Sequence, residues 1–133
     1  MRRDAYSGFV KVIGEEHAHT LTAGNNYASS LVDTKRFKEA RSLLRKTIPV
    51  TRRVLGESRE LTLQMRWLYA EALYNDPDAM LDDLREAVTT LEDAGRIARR
   101  VLGCVHPTVR QIEVALRDAR AALRARETPS ESV

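Results

Sequence analysis

The sequence has few residues that form disulfides or break helices and strands: it contains one cysteine, four prolines and six glycines among 133 residues. The single cysteine, Cys104, excludes an internal disulfide and is typical of a reducing compartment. No apolar run approaches the ~18 residues that a membrane span requires, and the N-terminus lacks the apolar core of a signal peptide. We therefore expect a cytoplasmic protein with no membrane segment.

Residue clusters that carry chemistry are also scarce. His17 and His19 lie two positions apart, so they would point to different faces of a helix, and no cysteine or carboxylate cluster completes a zinc site. Adjacent carboxylates such as Asp82-Asp83 cannot share a proton on a helix. A phosphate-binding glycine loop and a Ser/His/Asp constellation are both lacking. We expect neither an enzyme nor a metal or cofactor site.

What is abundant is material for amphipathic helices. Hydrophobic residues make up 43% of the chain and charged residues 31%, which suits a helical protein with a modest core and does not suit disorder. The alternation of a half-buried strand is missing. The net charge is only +3 with both signs interspersed, which indicates solvated helix faces. The sequence predicts one all-α domain.

A repeated tripeptide divides the chain into units. Val12-Ile13-Gly14 returns as Val54-Leu55-Gly56 and as Val101-Leu102-Gly103, at intervals of 42 and 47 residues. Ala28 and Ala70 each lie fourteen residues past their glycine. Self-similarity at this period predicts a stacked array of supersecondary units, each of which buries its apolar face against the next.

The first complete unit predicts two helices. The first runs from about His17 to Thr34, and the second runs from Phe37 to Leu55 with Pro49 inside it. Proline lacks an N–H donor and crowds the preceding turn, so we expect a kink near Ile48 and not an end of the helix. The stripe that should face the core consists of Leu21, Gly24, Ala28 and Leu31.

The second unit departs from the first by five additional residues, which fall in the segment 75–80. We expect Asp76 to cap a helix that begins at Pro77 and runs to Leu102. Gly95 within that helix should weaken it slightly. A terminal helix is then predicted to begin near Pro107.

These features resemble tetratricopeptide repeats. Ala28, Leu31, Ala40 and Leu44 match the packing positions of that repeat. The period of about 42 residues, Asn25-Asn26-Tyr27-Ala28 and His106-Pro107-Thr108 are similar to the kinesin light chain type of repeat. The resemblance implies an α-solenoid of antiparallel helix pairs with about two and a half repeats. The expected divisions are a partial repeat 1–14, repeats 15–56 and 57–103, a terminal helix 104–126 and a disordered tail 127–133.

The resemblance also implies a function and a site. It implies a non-enzymatic interaction module or scaffold that binds a peptide or helix of a protein partner in a concave groove. The groove would be lined by Thr22, Asn25, Ser29 and Val32, by Gln64, Trp67, Glu71 and Tyr74, and by Gln111, Val114 and Asp118. In this hypothesis Asn25 holds the ligand backbone and the two aromatic residues supply apolar contact. The alternative for Trp67 is that it only packs between adjacent units.

Two other functions stay open at this stage. The chain could be a structural piece of a longer array that self-associates through an uncapped end, forming a homo-oligomer. It could instead bind an acidic partner or nucleic acid through an arginine face within residues 117–126. Nucleic acid is the less favoured partner, because Asp118 and Glu127 interrupt that face and stacking aromatics are lacking nearby.

Overall fold

The computed structural model describes residues 18–127, which form five α-helices and, within that range, no strand. The helices are α1 (Ala18–Asp33), α2 (Phe37–Leu55), α3 (Glu60–Tyr74), α4 (Leu81–Leu102) and α5 (Pro107–Glu127). The prediction of an all-α helical repeat is confirmed. The partial repeat 1–14 lies outside the described residues, as does the expected tail apart from Glu127, which is the last residue of α5.

The helices stack in two layers. Each helix packs on the next along the chain through a short turn, so α1 with α2 and α3 with α4 are antiparallel pairs. Helix α3 also contacts α1 on one side and α5 on the other. Helices α1, α3 and α5 therefore form one continuous layer, which we call the inner layer, and α2 and α4 form the outer layer. This is the architecture of an α-solenoid.

Small residues bring these helices close together. The stripe predicted for α1 is buried throughout, from Leu21 to Leu31. Alanines without any exposed surface recur at the equivalent positions of both pairs, namely Ala28, Ala40, Ala70 and Ala87. Between them lie large apolar side chains that are equally buried, including Leu44, Leu63, Leu73 and Leu91. Alternating small and large side chains allow facing helices to interdigitate, which is the origin of the core.

The glycine corners are the same in both pairs. Gly56 and Gly103 have φ angles of 94° and 89°, a region that side chains with a Cβ rarely adopt. Their N–H groups donate to the carbonyls of Arg52 (2.9 Å) and Arg99 (3.1 Å), which closes the preceding helix. The repeated tripeptide thus marks a repeated turn.

Two further positions show how helices tolerate unfavourable residues. Pro49 lies within α2, which continues to Leu55, so the proline does not end the helix, as predicted. Gly95 is buried in α4 where α5 crosses it, and a Cβ added there would come within 3.3 Å of Cγ2 of Ile112. The glycine therefore lets the last two helices approach closely, which offsets its low helix propensity.

The prediction for Asp76 is wrong. Helix α4 begins at Leu81 and not at Pro77. The Asp76 carboxylate accepts a hydrogen bond from the N–H of Asp78 (2.9 Å) and forms an ion pair with Nη1 of Arg41 (2.8 Å). Because its oxygens close this turn and bind α2, they are not available to cap a helix. The N-terminal turn of α4 is closed by Asp83, which accepts from the N–H of Met80 (3.0 Å).

Candidate interaction groove

Helix α3 presents only a narrow stripe to solvent. It is the central helix, packed against all four others, so most of its side chains are buried, Met65, Leu68 and Ala72 among them. Trp67, Glu71 and Tyr74 are spaced by four and three residues, which places them on one face of the helix. All three are half-buried. They form the part of α3 that the inner layer exposes.

Helix α5 faces this stripe with a different surface. Gln111, Val114 and Asp118 are spaced by three and four residues, which places them on one face of α5, and all three are exposed. Val114 keeps 50% of its surface accessible, which is a large fraction for an apolar side chain. The buried side of α5, with Val109, Ile112 and Ala115, packs into the core. The two helices therefore border a depression whose walls are both apolar and polar.

This depression has a volume of about 290 Å³. We call it the inner groove; it is lined by Trp67, Glu71, Tyr74, Arg110, Gln111, Val114, Ala115 and Asp118. Six of these eight residues were placed on the concave face from sequence. Arg110 and Ala115 were missed, although each lies directly beside a residue that was named, and the facing of α5 would have identified them.

The predicted residues of α1 lie outside this lining, as does Gln64. The hydroxyl of Thr22 donates to the carbonyl of Ala18 (3.1 Å), and Nε2 of Gln64 donates to Glu60 (3.2 Å). Oδ1 of Asn25 is buried and accepts no hydrogen bond within residues 18–127. Ser29 is half-buried on the same helix. The geometry thus brings together the predicted residues of α3 and α5 and leaves those of α1 apart.

The inner groove is acidic at its centre. Burial, together with the smaller effect of the Asp33 and Asp118 carboxylates, raises the pKa of Glu71 to about 7. Burial is also the main reason that the pKa of Tyr74 is raised, with Glu71 and Asp118 adding to it. Glu71 makes no ion pair with any residue of the described range. The carboxylates of Asp33 on α1 and Asp118 on α5 therefore act on a glutamate of α3 that has no cation paired with it.

Trp67 combines a structural and an exposed role. Its ring packs against the hydrophobic core, as the alternative interpretation of this residue expects, and it also lines the inner groove. The indole nitrogen is buried and finds no acceptor among the described residues. Trp67 is the only tryptophan in the chain, so its fluorescence reports on this groove alone.

The arginine face lies on the other side of α5. There Arg120 pairs with Glu92 (2.9 Å) and Arg99 pairs with Glu113 (3.3 Å), across the boundary between α4 and α5. Arg126 donates to the carbonyl of Ala79. A depression of about 410 Å³ runs along this boundary. We call it the arginine groove; it is lined by Leu91, Glu92, Gly95, Arg96, Arg99, Ile112, Glu113, Leu116 and Arg120. Much of its positive charge is compensated within the molecule.

Cys104 and His106 do not belong to a metal-binding cluster in the described range. Residues 18–127 contain no group of three or more His, Cys, Asp or Glu side chains placed to hold a metal ion. Cys104 is exposed, and His106 accepts a hydrogen bond at Nδ1 from the N–H of Thr108 (3.1 Å), which closes the first turn of α5. The helices of this range are too short or too polar to cross a membrane.

A comparison with protein families agrees with this architecture. A family model described as "Tetratricopeptide repeat" matches residues 20–59, which cover α1, α2 and the Gly56 corner. The match identifies a tetratricopeptide repeat within residues 20–59, and the helical array supports a protein built of such repeats; the kinesin light chain type is compatible with the match. Comparison with curated proteins gives no match. Tetratricopeptide repeats generally serve protein–protein interaction and are generally non-enzymatic scaffolds.

Proposed function

We propose that this protein is a non-enzymatic interaction module that binds a peptide segment of a partner protein in the inner groove. The observation that carries the proposal is the joining of Trp67, Tyr74 and Val114 around one depression on the inner layer. Large aromatic side chains that keep one surface exposed are frequent anchors of binding interfaces. A cytoplasmic location is proposed with it, on the basis of the sequence.

The size of the inner groove limits the ligand. At about 290 Å³ it is near the lower end of small-ligand pockets, so it accommodates one or two side chains and not a whole helix. The rest of the peptide would lie across the exposed surface of α5. There the amide of Gln111 can both donate to and accept from a ligand backbone. Asn25 is less suited to that role, because its carbonyl oxygen is buried.

A selection from an unbiased peptide display library tests this function. We expect enriched peptides that alter the fluorescence of Trp67 when they bind to the full chain. Val114→Gln should lower the affinity for these peptides at least tenfold, because it removes apolar surface from the groove wall. Val101→Gln is the matched control: it replaces a valine of similar exposure (47%) on α4, outside the inner groove.

The outcome is decided by these two variants together. Loss of binding in Val114→Gln with full binding in Val101→Gln supports the proposal. Equal binding by both variants, or a library that yields no peptide, overturns it. Circular dichroism of each variant should show unchanged helicity, since both substitutions replace exposed side chains.

The two alternatives receive less support from the described residues. On the arginine face, Arg120 is paired with Glu92 and Arg126 donates to the carbonyl of Ala79, so an acidic partner would have to displace these two contacts. Self-association through an uncapped end stays a prediction, and light scattering over a concentration series tests it directly.

A further inference from the structure

The inner groove carries a charge that the chain does not neutralise. Glu71 and Asp118 line it, and Asp33 of α1 lies close enough to act on Glu71. The one cation in the lining, Arg110, makes no ion pair with these carboxylates. In contrast, Arg120 on the opposite side of α5 pairs with Glu92, and Arg99 of α4 pairs with Glu113. A ligand is therefore the available source of compensating charge.

The surroundings of Glu71 select the kind of cation. Its carboxylate lies on α3 between Trp67 and Tyr74, one turn away in each direction, and it is half-buried. A charge held against aromatic rings suits a cation with an apolar stem, because the stem packs on the rings while the head reaches the carboxylate. A bare metal ion does not fit, since no metal-binding group of side chains exists within residues 18–127.

We propose that the peptide bound in the inner groove is basic, and that an arginine or lysine side chain enters between Trp67 and Tyr74 with its charge against Glu71 and Asp118. This inference rests on the proposed function and specifies the chemistry of its partner. Segments rich in Asp or Glu are excluded by the same carboxylates, since like charges repel across a desolvated contact. Val114 and Ala115 form the apolar wall along which the side chain's methylene groups lie.

The raised pKa of Glu71 supports this inference. The carboxylate is partly protonated near neutral pH because burial and two neighbouring carboxylates disfavour its charge. A bound guanidinium or ammonium group would reverse that balance and favour the ionised form. An occupant of this kind therefore relieves a charge that the isolated chain accommodates poorly.

Peptides that differ only in charge provide the test. The probes are four acetylated and amidated twelve-residue peptides of Gly, Ser and Ala, each with two central residues of Arg, Lys, Gln or Glu. We expect the Arg and Lys peptides to alter Trp67 fluorescence of the full chain with Kd values at least tenfold below that of the Gln peptide. The Glu peptide should cause no change.

Variants of the carboxylates locate the effect. Glu71→Gln and Asp118→Asn should each raise the Kd of the Arg peptide three- to tenfold and leave the Kd of the Gln peptide unchanged. Asp82→Asn is the control, because Asp82 is an exposed carboxylate on α4, away from the groove. Glu71→Gln removes a poorly solvated charge, so it is expected to fold at least as well as the natural chain.

The results separate the two proposals. Absence of any fluorescence change with all four probes, equal Kd values for the Arg and Gln peptides, or an unchanged Kd in Glu71→Gln would overturn the basic occupant. The display selection tests the interaction function independently. If it yields neutral or acidic peptides whose binding requires Val114, the interaction function stands and the proposal of a basic ligand is wrong. A concentration-dependent rise in mass that Glu71→Gln abolishes would assign the groove to a second copy of the chain and also overturn the basic peptide.

Discussion

The two surfaces of α5 treat charge in opposite ways. On the arginine groove, Arg120 faces Glu92 at 2.9 Å and Arg99 faces Glu113 at 3.3 Å, so each cation has a carboxylate. On the inner groove, the carboxylates of Asp33 and Asp118 act on Glu71, and Arg110, the one cation of the lining, pairs with none of them. The ion pairs of the arginine groove are exposed and compensated, whereas Glu71 in the inner groove is half-buried and has no ion-pair partner in the described range.

This difference indicates which surface is arranged for a partner. Exposed ion pairs contribute little to stability and are common on helical proteins, so the arginine groove is explained by the chain itself. Half-buried like charges destabilise the folded state, and stability alone gives no reason to keep them. Groups whose environment opposes their charge are enriched at functional sites. The inner groove is for this reason the better candidate for binding.

The largest effect on stability is expected at Asp76, a buried carboxylate that, unlike Glu71, is paired with a cation. Arg41 and Asp76 pair across α2 and the turn before α4, and their side chains are only 15% and 6% exposed. Arg41→Ala should lower the free energy of unfolding by about 2–4 kcal/mol, because it leaves Asp76 buried without its cation. Urea denaturation measures the loss.

The control for this ion pair is an equivalent pair in solvent. Arg36 and Glu39 lie 2.7 Å apart, but their side chains are 49% and 50% exposed, so Arg36→Ala should cost at most ~0.5 kcal/mol. The Arg41 guanidinium also lowers the pKa of Asp76. The stability that it adds is present above the ordinary carboxyl pKa and is lost as pH falls through the lowered value. Equal losses in the two variants would contradict the importance of burial.

The architecture was largely predictable because the repeat carries it. Gly56 and Gly103 mark the corners at which helix pairs end, and the small residues Ala28 and Ala70 recur at a fixed distance after a glycine. Such features depend on local backbone and close packing, both of which a sequence pattern expresses directly. The turn at Asp76 was not predictable in the same way. Its conformation depends on Arg41, which is 35 residues away in the chain and adjacent only after folding.

The inner groove was predictable in part for a related reason. The spacing of Trp67, Glu71 and Tyr74 placed them on one face of a helix, and the structure joins them with Gln111 around one depression. What the spacing could not show is the convergence of Asp33, Glu71 and Asp118, which lie on three different helices. The effect of two distant carboxylates on Glu71 is a property of the tertiary structure. The binding role of these residues stays a prediction.

Substitution of Glu71 is expected to stabilise the chain, and by less than Arg41→Ala destabilises it. Its pKa of about 7 exceeds that of an unfolded glutamate, so the folded state holds the proton more tightly. Stability should therefore be highest below the unfolded pKa, and it should fall as pH rises from about 4.5 through 7. After allowance for partial solvent exposure, Glu71→Gln should raise the free energy of unfolding at pH 8 by roughly 1–2 kcal/mol.

Thermal denaturation at pH 5 and pH 8 measures this dependence. The two chains should differ little at pH 5 and most at pH 8. Glu92→Gln is the comparison on the arginine groove, where loss of the pair with Arg120 should change stability by at most ~0.5 kcal/mol at either pH. A Glu71→Gln chain that is less stable than the natural chain at pH 8 would mean that its carboxylate is satisfied after all.

The contribution of the Trp67 ring to stability can be separated from that of its N–H group. Trp67→Phe keeps an aromatic surface and removes a donor that has no acceptor in the described range. The loss of apolar contact and the removal of an unsatisfied group oppose each other, so the net change should stay within about 1 kcal/mol. Trp67→Ala loses the whole ring and should cost about 2 kcal/mol. Thermal melts followed by circular dichroism distinguish the two, and equal losses would show that the N–H is bonded.

The smallest effect is expected at the arginine groove, and it decides whether the comparison between the two surfaces is correct. Arg120→Gln breaks an exposed ion pair and should alter the free energy of unfolding by no more than ~0.5 kcal/mol. It should also leave the affinity for the Arg peptide unchanged, because Arg120 lies outside the inner groove. Polyglutamate added to the natural chain should show no binding by calorimetry at 150 mM salt. Binding of polyglutamate that Arg120→Gln weakens would show that the ion pairs open for an acidic partner and would make this second surface functional.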